Sequence, residues 1–144
     1  MRMNILVVDD SVINLANVEQ KLKDRYEIIT VNSGDRALRY LKSEKPDLIL
    51  LDIKMAEMDG IQTLKEIRKL GNGADVPVIM LTSQGDKGSI VETQKLGICD
   101  YVLKPFDPQE LRSRIEKALR SKARDEADAT ADVEDMEDME DEDS

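Results

Sequence analysis

Five short apolar runs, at 4–8, 26–30, 47–51, 76–81 and 100–103, alternate with segments whose apolar residues recur at helical spacing. That alternation predicts repeated βα units and hence an α/β chain built on a doubly wound parallel sheet. The third run is apolar without alternation, as a central strand covered on both faces requires. Between the runs, Leu15, Val18 and Leu22, then Leu38 and Leu41, then Ile61, Leu64 and Ile67 mark helix stripes. Leu111, Ile115, Ala118 and Leu119 mark the last one. Ser11, Ser33, Asp59 or Asp86, and Asp107 are placed to cap helices, and Pro108 suits a first helical position. With 40% hydrophobic but only 3% aromatic residues, the core must be aliphatic. Helices of about 10 to 14 residues and short loops account for residues 1–123 as one domain.

Polar residues stand at the downstream ends of these runs: Asp9 and Asp10 after IleLeuValVal, Asp52 after LeuIleLeuLeu, Thr82 after ValIleMetLeu, and Lys104 after TyrValLeu. In an open parallel sheet those ends converge on the edge where ligands bind. Clustered carboxylates are costly unless a cation or a reaction uses their charge. Asp9, Asp10 and Asp52 can offer oxygen ligands to one hard divalent cation, for which magnesium is the natural choice. Asp52 is then the expected nucleophile toward phosphorus, with Lys104 supplying an ammonium for the developing charge and Thr82 a hydroxyl for a phosphoryl oxygen.

Several function classes drop out. The chain has no histidine, which removes imidazole-based triads, imidazole metal sites and a phosphohistidine of its own. Cys99 is the single cysteine, so neither an internal disulfide nor a cysteine zinc cage can form. Aromatic platforms for stacked bases are nearly missing, so no direct nucleic-acid contact is expected. No apolar run reaches membrane-spanning or signal-peptide length, and a cytoplasmic protein without membrane association is expected. Twelve of the 31 acids fall between Asp125 and Ser144 with no base among them, leaving 21 bases against 19 acids in residues 1–124. The net charge of −10 therefore belongs to the end of the chain, and residues 124–144 read as a disordered acidic tail.

ValValAspAspSer at 7–11, LeuAspIleLysMet at 51–55 with MetAspGly at 58–60, LeuThrSer at 81–83 and LysProPhe at 104–106 together resemble the receiver domains of two-component response regulators. The resemblance covers about residues 3–121. It implies a flavodoxin-like (βα)5 three-layer sandwich with strand order 2-1-3-4-5. It also implies a single-domain response regulator in which Asp52 accepts a phosphoryl group from a histidine kinase or phosphotransfer protein. Asp9, Asp10, Asp52 and the Lys54 backbone carbonyl would hold magnesium. Thr82 and Lys104 would contact the phosphoryl group, Tyr101 would turn inward as Thr82 moves, and the Lys104–Pro105 bond would be cis. Such a protein is a switch rather than an enzyme, catalysing only its own phosphorylation and dephosphorylation.

Three positions depart from the common pattern or tune it. Ala56 stands where many members carry proline, and Lys54 and Gln84 lie two residues beyond Asp52 and Thr82, flanking the phosphoryl group. Output is expected through a protein-binding surface around Ile90, Val91, Tyr101 and the last helix, recognised by a downstream effector, with dimerisation on phosphorylation a further outcome left open. The loop 82–88, with Gly85 and Gly88, is the expected moving element. Met1 and the abrupt acidic end are read as those of a complete product, whose tail serves solubility or, as the alternative, folds over the bases Arg112, Arg114, Lys117, Arg120, Lys122 and Arg124 and competes with an acidic partner. The alternatives are a phosphorylation-independent interaction module, a haloacid-dehalogenase-like phosphatase and a flavin protein of the same topology. The phosphatase would want an acid where Lys54 stands, and a flavin phosphate would be repelled by Asp9 and Asp10.

Overall fold

The computed structural model describes residues 2–83 and 87–131, with side chains for 2–83 and 91–122. Five parallel strands, β1 (Asn4–Val8), β2 (Glu27–Val31), β3 (Leu48–Asp52), β4 (Val78–Thr82) and β5 (Asp100–Leu103), lie in the order β2-β1-β3-β4-β5. The helices α1 (Val12–Leu22), α2 (Gly34–Leu41), α3 (Gly60–Lys69), α4 (Lys87–Lys95) and α5 (Pro108–Ala131) connect and follow them. This is the doubly wound parallel sheet expected from the alternation, with the three layers and the strand order 2-1-3-4-5 that the motif resemblance implies.

The period of two along each strand divides the apolar residues between the faces. Ile5, Val7, Leu48, Leu50, Ile79, Leu81 and Val102 pack with Leu15, Val18 and Leu22 of α1 and Leu111 and Ile115 of α5. Leu6, Val8, Ile49, Leu51, Val78 and Met80 pack with Ala37 and Leu41 of α2 and Leu64 and Ile67 of α3. Strands β1, β3 and β4 are thus buried on both sides, which is why their runs show no alternation of polarity. Edge strand β2 is only partly covered.

Caps fix where the helices start. Ser11 accepts from Asn14 N, Ser33 from Arg36 N, and Asp59 forms a capping box with Gln62. Asp107 accepts from the Gln109 N–H at 3.2 Å ahead of α5. The alternative cap, Asp86, lies outside the described residues, as do Gln84 and Gly85 of the expected moving loop. Strand β4 begins at Val78, two residues later than its run, because Pro77 has no N–H and contributes only its carbonyl, which accepts from Ile49 N at 3.0 Å.

Helix α5 continues to Ala131, eight residues beyond the expected domain boundary at 123. Composition signalled an acidic segment there, but Ala, Arg, Lys and Glu are strong helix formers and no Gly or Pro interrupts 109–131. Residues 132–144 of the acidic segment lie outside the described residues. Three of the bases that a folded-back tail would cover are engaged within the fold. Arg112 bonds the Lys21 carbonyl and pairs with Asp24, Arg114 pairs with Asp100, and Lys122 lies 3.6 Å from Asp47.

One close approach ties the fold to the strand ends. Gly60 N donates to Ile53 O at 2.7 Å, and a Cβ at 60 would overlap the Asp52 carbonyl oxygen and the Ile53 backbone. Gly60→Ala is therefore expected to lose about 2 kcal/mol in urea denaturation, a typical cost of forced overpacking. A midpoint equal to that of the parent would show that the turn has room to give.

Candidate functional site

The sheet reverses its winding direction at β1 and β3, and the crevice beyond their carboxyl ends is where the charged residues gather. Val8 is level with Leu51, so Asp9 and Asp52 leave neighbouring strands side by side. Asp9 is 1% exposed and Asp52 5%, while Asp10, at the start of the β1–α1 turn, is exposed. One carboxylate oxygen from each of the three lies within 4.8 Å of the others. Lys104, one residue past β5, places its ammonium 3.1 Å from Asp9 Oδ2 and 3.0 Å from Asp52 Oδ1.

The acids are held by further donors. Asp9 accepts from Ser11 N at 2.9 Å and Asn14 Nδ2 at 3.3 Å. Asp10 Oδ2 accepts from Ala56 N at 2.9 Å. Thr82 ends β4 next to Asp52's strand, 1% exposed, and its hydroxyl donates to the Ser83 carbonyl at 3.1 Å. The Thr82 carbonyl accepts from Lys104 N at 2.7 Å, which fixes where the lysine leaves the sheet. The Lys104–Pro105 peptide is cis. Lys54 lies exposed in the turn after β3, and Tyr101 stands on the edge strand with 41% of its surface in solvent. The structure therefore brings Asp9, Asp10, Asp52 and Lys104 into one cluster, sets Thr82 on the adjoining strand end, and leaves Tyr101 turned outward.

Burial dominates the titration of Asp52. It pushes the carboxyl up to about 6 from an ordinary 3.8, opposed by the bond from Lys104 and reinforced by the charge of Asp9. Burial pulls Lys104 down, but its contacts with Asp52 and Asp9 together outweigh that and raise it. A carboxyl whose folded pKa exceeds its unfolded one adds stability below pH 3.8 that is lost as pH rises through 6. Charged Asp52 thus opposes folding at neutral pH. Asp52→Asn is expected to raise the metal-free stability at pH 7.5 by about 1–3 kcal/mol, with the gain gone near pH 4. Urea titrations at both pH values check this, and a gain that grew on acidification would contradict it.

Three carboxylates and one ammonium leave an excess of two negative charges, the charge of one dication. Their all-oxygen donor set suits a hard ion such as magnesium. The same cluster juxtaposes a buried carboxylate with an ammonium, the pairing a phosphoryl transfer to oxygen needs. Two supporting groups escaped the reading of motifs, Asn14 and the Ala56 N–H. An asparagine at the third position of a helix capped directly after an acid pair was a signal for the first. Only the folded turn reveals the second.

The response regulator receiver domain model matches residues 5–116. The probable transcriptional regulator ycf27 of Guillardia theta is 40% identical over 121 residues, covering 81% of this chain and 45% of that protein. The chain spans about half the length of the ycf27 relatives that it matches. Among solved structures, a CheY-like receiver domain protein from Methanospirillum hungatei superposes with a TM-score of 0.81 at 28% identity, covering 87% of this chain and 99% of that one. The receiver domain of the sensor histidine kinase PA1611 from Pseudomonas aeruginosa, solved with magnesium coordinated in its active-site cleft, gives 0.76 at 31% identity, covering 83% and 98%. Motifs, strand order and site geometry agree with these matches: the chain belongs to the response regulator receiver domain family of two-component signal transduction.

Proposed function

We propose that this domain is a magnesium-dependent phosphoacceptor switch, with Asp52 as the residue that takes a phosphoryl group from a histidine kinase or phosphotransfer protein. The observation that supports it most is the buried Asp52 carboxylate paired at 3.0 Å with Lys104 inside the three-acid cluster. Asp9, Asp10, Asp52 and the Lys54 carbonyl would hold the cation, whose charge would neutralise the phosphoryl oxygens during transfer. An Asp52 oxygen forms the new bond to phosphorus while the bond to the donor's imidazole nitrogen breaks, and that nitrogen keeps the electron pair. Lys104 is close enough to pass from the carboxylate to the transferred oxygens. The Thr82 hydroxyl would turn from the Ser83 carbonyl to a phosphoryl oxygen, and that displacement would admit Tyr101.

Phosphate adds charge and strong acceptors, which shift a two-state surface only when one state contacts them better. Val91 and Tyr101, 59% and 41% exposed, are apolar groups available to an effector protein in such a shift. The domain would catalyse nothing beyond its own phosphorylation and dephosphorylation. Lys54 stands where a phosphatase of the haloacid-dehalogenase type needs its general acid. Incubation with acetyl phosphate and magnesium is expected to give one base-labile label per chain and no turnover of p-nitrophenyl phosphate. Absence of label, or steady ester turnover, would overturn the proposal.

A further inference from the structure

The backbone N–H of Ala56, in the turn between β3 and α3, reaches across to Asp10 Oδ2 at 2.9 Å. Asp10 depends on such a tether more than the other acids do. Asp9 and Asp52 are buried and share Lys104, whereas Asp10 is exposed and faces the one negative charge that the lysine leaves uncompensated on that pair. Beside it opens a cleft of about 350 Å³ whose wall Asp10 shares with the cation Arg36. Only a residue with a backbone N–H can make the bond, and proline has none.

We propose that Ala56 is a positioning residue for the cation site. Its N–H holds one oxygen of Asp10, leaves the second available, and keeps the carboxylate assembled with Asp9 and Asp52 before the ion arrives. The inference rests on the reading of that cluster as a divalent-cation site. Its action is preorganisation: without the N–H, part of the binding free energy goes into recalling Asp10 from solvent.

Isothermal titration of the full chain with magnesium and with manganese tests it. Ala56→Pro is expected to weaken both ions about tenfold, the lower end of what removing a ligand's hydrogen-bond partner costs. Ala56→Gly, which keeps the N–H, should bind as the parent does. Replacing the 55–56 amide by an ester removes the N–H without the proline ring and should reproduce the loss, which decides the matter if the proline variant fails to fold. In an Asp10→Ala background, which has no side-chain acceptor, the ester should cost nothing further. Parental affinity in the ester variant, or an equal loss in the Asp10→Ala background, overturns the inference. Failure of the parent to bind either ion, with Asp9→Asn and Asp52→Asn equally silent, would remove the cation site itself and this inference with it.

Discussion

Asp52→Asn is expected to take up no label from acetyl phosphate in the presence of magnesium, while keeping its fold and gaining stability at neutral pH. The loss should be complete because neither neighbouring acid can replace the nucleophile. Asp9 is 1% exposed, and its oxygens already meet Lys104, Ser11 N and Asn14 Nδ2. Asp10 is open to solvent, but its Oδ2 is taken by Ala56 N, and the Lys104 ammonium reaches Asp9 and Asp52 instead. An amide at 52 keeps the shape of the side chain and loses the charge, so the absence of label would report chemistry and not collapse. Filter-bound radiolabel with a circular dichroism control measures both. Label at the parental level would place the acceptor elsewhere.

Lys104→Met is expected to be the most destabilising single change at the site, by about 3 kcal/mol at pH 7.5 without metal, because it strands two buried carboxylates. The side chain is 22% exposed, against 2% and 8% for its partners, so solvent offers little replacement for the lost ammonium. The sign of the pH dependence follows from Asp52, whose carboxyl titrates near 6 even with the lysine present. Without it the carboxyl rises further, so lowering the pH to about 5 should recover most of the loss by protonation. Millimolar magnesium should also recover it, since a dication supplies the missing charge and binding to the folded state stabilises that state. Combining Lys104→Met with Asp52→Asn should cost less than Lys104→Met alone. An equal loss at pH 5 and pH 7.5 would assign the effect to packing of the lysine stem.

Much of this architecture was legible because each strand carries its own signal. The bounds of β1 and β5 coincide with their runs, and β2, β3 and β4 differ by one or two residues at their ends. Burial on both faces made β3 readable without alternation, and Ser11, Ser33 and Asp59 marked helix starts by cap chemistry that is local in sequence. The end of α5 was not legible in the same way, because acidity argued for disorder while helix propensity carried the backbone to Ala131. At the site, strand-end position was enough to collect Asp9, Asp10, Asp52 and Lys104. It could not show that Lys104 is shared between Asp9 and Asp52, or that the turn at Ala56 returns to Asp10, since both depend on how loops far apart in sequence meet. Gly60 was legible as part of a motif, but its reason, contact with the backbone of Asp52 and Ile53, belongs to packing alone.

A crystal structure of the chain grown with magnesium and beryllofluoride, a mimic of the phosphoryl group, shows which carboxylate is the acceptor. Beryllium is expected on a carboxylate oxygen of Asp52, with magnesium beside it on Asp9 and Asp10, and Lys104 and Thr82 on the fluorines. Beryllium on another carboxylate, or an ordered site at saturating magnesium and beryllofluoride with Asp52 unmodified and still paired with Lys104, would contradict it.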